Sequence, residues 1–170
     1  MPVAIETARL LLREYQPGDH AALHTLLSDP VTMQFWPAPF TPAQTEAWIE
    51  RQLASYAAHG FGRWAVCKRE TGVHIGDVGL MRTQVNGRDE IDLGYIIHAP
   101  FWRQGYALEA ARAALAFARA HPAIARVVAN MPHNHHGSRR VAEALGMGYT
   151  GDFINARNRH IRTLLYVIEV

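Results

Sequence analysis

Cysteine is almost absent. Cys67 is the only one, so no internal disulfide can form, in keeping with a reducing compartment. Long apolar runs are missing too. None approaches the roughly 20 residues of a membrane-spanning helix, so no membrane partner is expected. Charge of one sign is scarce: 17 Lys and Arg stand against 15 Asp and Glu, a formal net charge of +2. No five like charges follow one another. A dedicated nucleic-acid binder carries a strong basic patch or tract, so nucleic acid is not an expected partner. Low-complexity segments, internal repeats and linker-like stretches are also lacking. At 170 residues the chain is long enough for one core and short for two, so residues 1–170 read as one domain. Met1–Glu6 lacks the basic and apolar regions of a secretory signal, and a cytoplasmic protein is expected.

What is present suits an ordinary globular protein, with 49% hydrophobic and 19% charged residues. Arg9–Arg13 is a short apolar run flanked by charge and reads as a first strand. Pro17-Gly18-Asp19 offers a turn and an N-cap for a helix over about His20–Ser28, with Leu23, Leu26 and Leu27 as its stripe. Thr41-Pro42 opens a second helix that runs to about His59 and ends at Gly60. Then the period changes. Trp64–Lys68, His74–Met81 and Ile91–His98 read as strands, with turns near Thr71-Gly72 and at Asn86-Gly87. Ala107–Ala120 is alanine-rich and strongly helical. Arg126–Met131 fits a strand buried on both faces. A short helix over about Ser138–Leu145 ends at Gly146, and strands Tyr149–Ile154 and Ile161–Val170 close the chain. The order β-α-α-β-β-β-α-β-α-β-β predicts an α/β mixed sheet with helices on its faces.

Between the third of those central strands and the alanine-rich helix lies Pro100-Phe101-Trp102-Arg103-Gln104-Gly105-Tyr106-Ala107. Strand, tight turn and helix N-terminus make an anion site. The first N–H groups of a helix lack internal partners, and the helix dipole adds partial positive charge. Gly105 lets a phosphate approach the backbone, and Arg103 adds a fixed cation. A purely structural turn is the other reading. The Gly-Lys-Ser/Thr of an NTPase loop and the three glycines of a dinucleotide fingerprint are both missing.

Phe101-Trp102-Arg103-Gln104-Gly105-Tyr106-Ala107 resembles the cofactor motif of the GNAT acetyltransferases, Gln/Arg-x-x-Gly-x-Gly/Ala. Gly105 and Ala107 match its fourth and sixth positions. Trp102 stands where the general family has Gln or Arg, as is usual in the branch resembling RimJ and RimL. Three further segments resemble that branch in order: Thr7–Arg13 with Asp19 and Asp29-Pro30, Asp92-Leu93-Gly94-Tyr95-Ile96-Ile97, and Asn134–Ser138 with Val141–Met147. The resemblance covers nearly the whole chain. It implies the GNAT fold, a central mixed and mostly antiparallel sheet flanked by helices. It also implies acetyl-CoA as co-substrate. The pyrophosphate would bind the N–H groups of Arg103, Gln104, Gly105, Tyr106 and Ala107. Pantetheine would lie along the strand edge at Ile97-His98, with Asn134 on its arm and Ser138 near the sulfur.

Forming an amide from a thioester needs a neutral amine, a polarised carbonyl and a partner for the leaving thiolate. It needs neither a covalent enzyme intermediate nor a metal. Asp92 stands where the branch usually carries Glu. It is the candidate base, acting directly or through water, or it only holds the ammonium; the plain alternative is an ion pair with Arg82 or Arg88. Glu90 is a weaker candidate. Ser138 is the candidate acid or sulfur partner, or simply the N-cap of the last helix. Tyr106 reads as a backbone contributor and packing ring, while Tyr149 and Tyr166 are further phenols of unknown placement. His98, His133, His135 and His136 lack carboxylate or cysteine partners at ligand spacing, so no metal is expected. Cys67 reads as a buried small residue without an activating partner. Phe35 and Trp36, in the aromatic stretch Phe35–Phe40, read as an acceptor-site wall or as a plug on the sheet.

The expected function is therefore N-acetyl transfer to a primary amine, either a peptide or protein N-terminal α-amine or a small amine. The alternative is a CoA-binding sensor or partner module without catalysis. Homodimerisation is common among similar proteins.

Overall fold

The computed structural model describes residues 2–170. Strands span Ala4–Glu6 (β1), Leu10–Arg13 (β2), Arg63–Lys68 (β3), His74–Val85 (β4), Arg88–Ile97 (β5), Arg126–Pro132 (β6), Gly148–Asn155 (β7) and Ile161–Glu169 (β8). Helices span His20–Leu27 (α1), Pro42–His59 (α2), Tyr106–Ala120 (α3) and His136–Ala144 (α4). The strands form one sheet in the order β1-β2-β3-β4-β5-β6-β8-β7. Neighbours are antiparallel except β5 and β6, which run parallel. The mixed, mostly antiparallel sheet expected from the sequence is thus present.

Three local expectations change. β1 was not expected: three residues at the sheet edge carry no apolar periodicity. The hairpin strands β4 and β5 continue right up to Asn86-Gly87, because the tight turn keeps the chains in register beyond the apolar residues. Asp19 does not cap α1 with its side chain. Arg13 claims that carboxylate with two 2.8 Å hydrogen bonds, and the Gln16 N–H donates to it as well.

Helices cover both faces. Alternation along β3, β4 and β5 sends Trp64, Val66, Val78, Leu80, Leu93 and Ile97 to one side, where Ala110, Ala111, Ala114, Leu115 and Ala118 of α3 close over them. Small alanines let the helix approach the sheet closely. Ala65 and Ile96 point to the other side and meet Leu23, Leu27 and Ile49 of α1 and α2. Each fully buried leucine there contributes about 1.5–3 kcal/mol of transfer free energy. Among the described residues, no helix is long and apolar enough to cross a membrane.

Parallel pairing between β5 and β6 is limited to one position, Asp92 opposite Val128. Ladder pairing is therefore absent along the rest of this seam.

Candidate active site

The turn before α3 has the conformation that its sequence predicts. Gly105 is the N-cap, at φ +79°, and Arg103 also lies at positive φ, +61°. Only glycine adopts the left-handed region at little cost. Among the described residues, nothing accepts from the N–H groups of Arg103, Gln104 or Gly105. Helix geometry frees those of Tyr106 and Ala107 as well. The turn is exposed, so these donors are open to an anion, and the site fits a diphosphate.

Arg9 braces this turn from β2. Its Nη1 donates to the Gln104 carbonyl at 2.8 Å and its Nε to Glu109 at 2.6 Å. Its guanidinium lies 4.4 Å from the Tyr106 ring centre. Tyr106 is buried, as expected of a packing ring. At the end of β5 the Trp102 indole donates to the Ile97 carbonyl at 2.6 Å, and the His98 N–H donates to Ile75 at 2.8 Å. The strand edge expected for pantetheine is thus partly engaged at Ile97 and His98. The second lone pair of the Ile97 carbonyl remains.

Asp92 stands at the single paired position of the seam, on the face covered by α1 and α2. Asn130 of β6 donates to its carboxylate at 2.8 Å across the seam. Burial raises the Asp92 pKa, opposed by the charge of Arg63 and by the Asn130 bond. The expected partners Arg82 and Arg88 are not there. Arg82 sits opposite Ile91 and Arg88 opposite Val85, near the hairpin tip. Glu90 is also excluded from the site, because its carboxylate pairs with Arg126 at 3.0 Å.

The cation that reaches Asp92 is Arg63, which the sequence reading did not single out. Arg63, Gly79 and Gly94 form one cross-strand row. Because Gly94 has no side chain, the guanidinium lies flat on the sheet: a Cβ at Gly94 would fall 1.4 Å from Arg63 Nη1. Arg63 Nε lies 3.0 Å from Asp77, and both side chains are almost fully buried. Tyr15 and the Trp48 indole donate to the other Asp77 oxygen at 2.7 and 3.0 Å.

On the opposite face, α4 brings Ser138 to Tyr95. The Tyr95 hydroxyl donates to the Ser138 carbonyl at 2.7 Å, and the Ser138 hydroxyl donates back to Tyr95 at 3.2 Å. Burial pushes the Tyr95 pKa up, so the phenol stays protonated. Ser138 is not the N-cap. His135 holds that place and accepts from the Ser138 N–H at 3.4 Å. Asn134 is exposed in the turn just before, free to face a ligand. The His135 ring stacks on Phe35 at 3.8 Å, and burial lowers its pKa to about 4. The other histidines go elsewhere: His133 lies against the Arg162 carbonyl and His98 near Asp29. Tyr149 is exposed, and the Tyr166 hydroxyl binds Glu143, so neither phenol joins the site. Cys67 is buried and its thiol pKa is pushed up by burial, as expected of an inert residue.

A cavity of about 530 Å³ passes through the seam and joins Asp92 and Gly94 on one face to Tyr95 and Ser138 on the other. Phe35 and Trp36 line it, and Trp36 also packs edge-on against Trp48 and Phe40. Arg63, Asp77, Asn130 and the place of Tyr95 are not evident from the sequence alone. One available signal was Gly94 inside a strand, since such a glycine often marks the close approach of another group.

Residues 9–148 match the model of a family described as the acetyltransferase (GNAT) domain. YkkB of Bacillus subtilis is 30% identical over 145 residues, 85% of this chain and 84% of YkkB. A GNAT-family acetyltransferase from Bacillus anthracis has a similar structure, with a TM-score of 0.82 at 23% identity over 98% of each chain. The ribosomal α-N-protein acetyltransferase RimL, in complex with coenzyme A, gives 0.83 at 15% identity over 99% of this chain and 98% of its own.

Proposed function

The chain belongs to the GNAT acetyltransferases, and from that premise we propose that acetyl-CoA and a primary amine meet through the β5–β6 seam for direct transfer. The supporting observation is the cavity that links the two faces there. A carboxylate stands on one side of it and a hydroxyl pair on the other.

The N–H groups of Arg103 to Ala107 hold the pyrophosphate, and Asn134 binds the pantetheine arm. The bound co-substrate supplies an activated acyl carbon and a thiolate leaving group. Asp92 takes one proton from the ammonium, so that the free amine nitrogen forms the new C–N bond as the C–S bond breaks, and the second proton that this nitrogen sheds goes to the departing thiolate to give the CoA thiol. Its raised pKa makes it a stronger base than an ordinary carboxylate. Ser138 gives its hydroxyl hydrogen bond to the sulfur. That bond to Tyr95 is the longer of the pair and the easier to surrender. Phe35 and Trp36 wall the acceptor side.

The test is CoA release measured against pH. Asp92→Asn lowers kcat/KM by roughly 10²–10⁴-fold and abolishes the acidic limb. A limb that persists unchanged removes Asp92 as the base. Acetyl-CoA binding without CoA release on any amine points instead to a non-catalytic CoA-binding module.

A further inference from the structure

Beyond Asp92, the cavity wall turns positive. Arg51 from α2, Arg63 from β3 and Arg157 from the β7–β8 turn line it, and among the described residues Asp92 is the one carboxylate that does. We infer that the acceptor is a small primary amine carrying its own anionic group, a carboxylate or a phosphate, which these arginines receive. The inference rests on the acetyl-transfer reading above and specifies the acceptor of that same site.

Arg63 carries the argument furthest. Its side chain is about 5% exposed, and its Nε and Nη1 have no hydrogen-bond partner. Asp77 lies 3.0 Å from Nε but makes no hydrogen bond to it, and its other oxygen is taken by Tyr15 and Trp48. A buried N–H left unpaired is destabilising, more so when it carries charge. The packing at Gly94 nevertheless fixes the guanidinium in place, against the cavity. Nε and Nη1 are sealed against Asp77 and Gly94, so an anion entering there would meet Nη2, the guanidinium nitrogen that is not sealed off, and would compensate the charge. Arg51 supports the same picture: burial lowers its pKa, and so do the like charges of Arg157 and Arg63. Arg51 therefore senses both of the other guanidinium groups that line the cavity. An anion relieves that repulsion, whereas a polyamine would deepen it.

The roof argues for a small molecule over a protein tail. Asn158, in the β7–β8 turn, donates to the Phe35 carbonyl at 2.7 Å. Arg159 reaches the Gln34 carbonyl at 3.4 Å. These bonds tie the two loops together above the cavity, where an extended peptide would need an open groove. Trp36 and Trp48 supply an apolar wall beside the arginines.

The test is CoA release from the full chain on matched amines: phenylalanine, phenylalaninamide, O-phosphoethanolamine, spermidine and a neutral tetrapeptide. kcat/KM is expected to be about tenfold or more higher for an anionic amine than for phenylalaninamide or spermidine, the value of one hydrogen bond to a charged group. Whether phenylalanine or O-phosphoethanolamine leads tells carboxylate from phosphate. In the Arg51→Gln/Arg157→Gln double variant, whose side chains are not part of the core, that preference ratio falls. Equal or better turnover of phenylalaninamide or spermidine overturns the anion assignment while leaving acetyl transfer intact. Preference for the tetrapeptide overturns the small-molecule assignment. CoA release from none of the amines, with acetyl-CoA still bound, overturns the transfer reading itself.

Discussion

Ser138 and Tyr95 hold each other through two hydrogen bonds, one from each hydroxyl, across the end of the open seam. The Tyr95 proton is committed to the Ser138 carbonyl at 2.7 Å, while the Ser138 proton rests in a longer bond of 3.2 Å. Only the second is cheaply redirected toward a sulfur atom. Ser138→Ala should therefore lower kcat by roughly tenfold to a hundredfold, the span of one or two charge-assisted bonds. Tyr95→Phe should cost less in kcat, since it leaves the Ser138 hydroxyl in place. Steady-state kinetics on both variants ranks them. The reverse order would make Tyr95 the donor and Ser138 its support.

At the cofactor end, the backbone dominates. Gly105 at φ +79° is strained by any side chain, by roughly 1–2 kcal/mol. A Cβ there would also approach Arg9 Nη2 to 3.3 Å, crowding the brace that holds Gln104. Gly105→Ala should raise KM for acetyl-CoA by about tenfold and leave kcat much less affected. Arg9→Ala should act in the same direction, since it releases the Gln104 carbonyl. If either variant changes kcat alone, the turn is not a binding element.

These two sites differed in how far the sequence revealed them. The turn is contiguous, so strand end, glycine and helix start could be read from one segment. Asp92 and Ser138 stood out by resemblance, but their partners did not. Asn130 lies in an apolar run and gains its role only when β6 pairs with β5 at one position. Arg63 precedes Trp64 in a strand pattern; its meaning depends on Gly94, which lies 31 positions later and becomes a neighbour only through the β3-β4-β5 register. Asp19 was misassigned for a related reason. Its cap role was inferred locally, whereas a bidentate arginine on β2 outcompetes a helix N–H. Local chemistry was legible, and cross-strand chemistry was not.

His135 gives the fold a pH dependence with a definite sign. Burial, with a smaller contribution from His136, holds its pKa down at about 4, against an ordinary 6.5. The folded state thus prefers the neutral ring, while the unfolded chain takes up a proton first. Stability from this group is complete above about 6.5 and is lost as pH falls from there toward about 4. Urea unfolding at pH 7 and pH 5 should show a larger drop in midpoint for the wild type than for His135→Asn, which keeps a capping acceptor but does not titrate. Equal drops would assign the acid sensitivity to other groups.

Asp77 is fully buried beside the Arg63 guanidinium and receives Tyr15, Trp48 and that charge at once. Removing it takes the nearest counter-charge from a buried guanidinium, which costs about 3–5 kcal/mol. That is a large part of the roughly 5–15 kcal/mol that holds a domain together. Asp77→Ala should therefore be severely destabilised in urea. Asp77→Asn keeps an oxygen for Tyr15 and Trp48 and removes only the charge, so it should fall between Ala and the wild type. In that variant Arg63 is no longer drawn toward Asp77. KM for the acceptor amine should then change while KM for acetyl-CoA stays put, because the Arg103–Ala107 turn shares none of these bonds. A destabilisation of Asp77→Ala below about 1 kcal/mol, the size of an ordinary surface change, would mean that the carboxylate does not anchor Arg63.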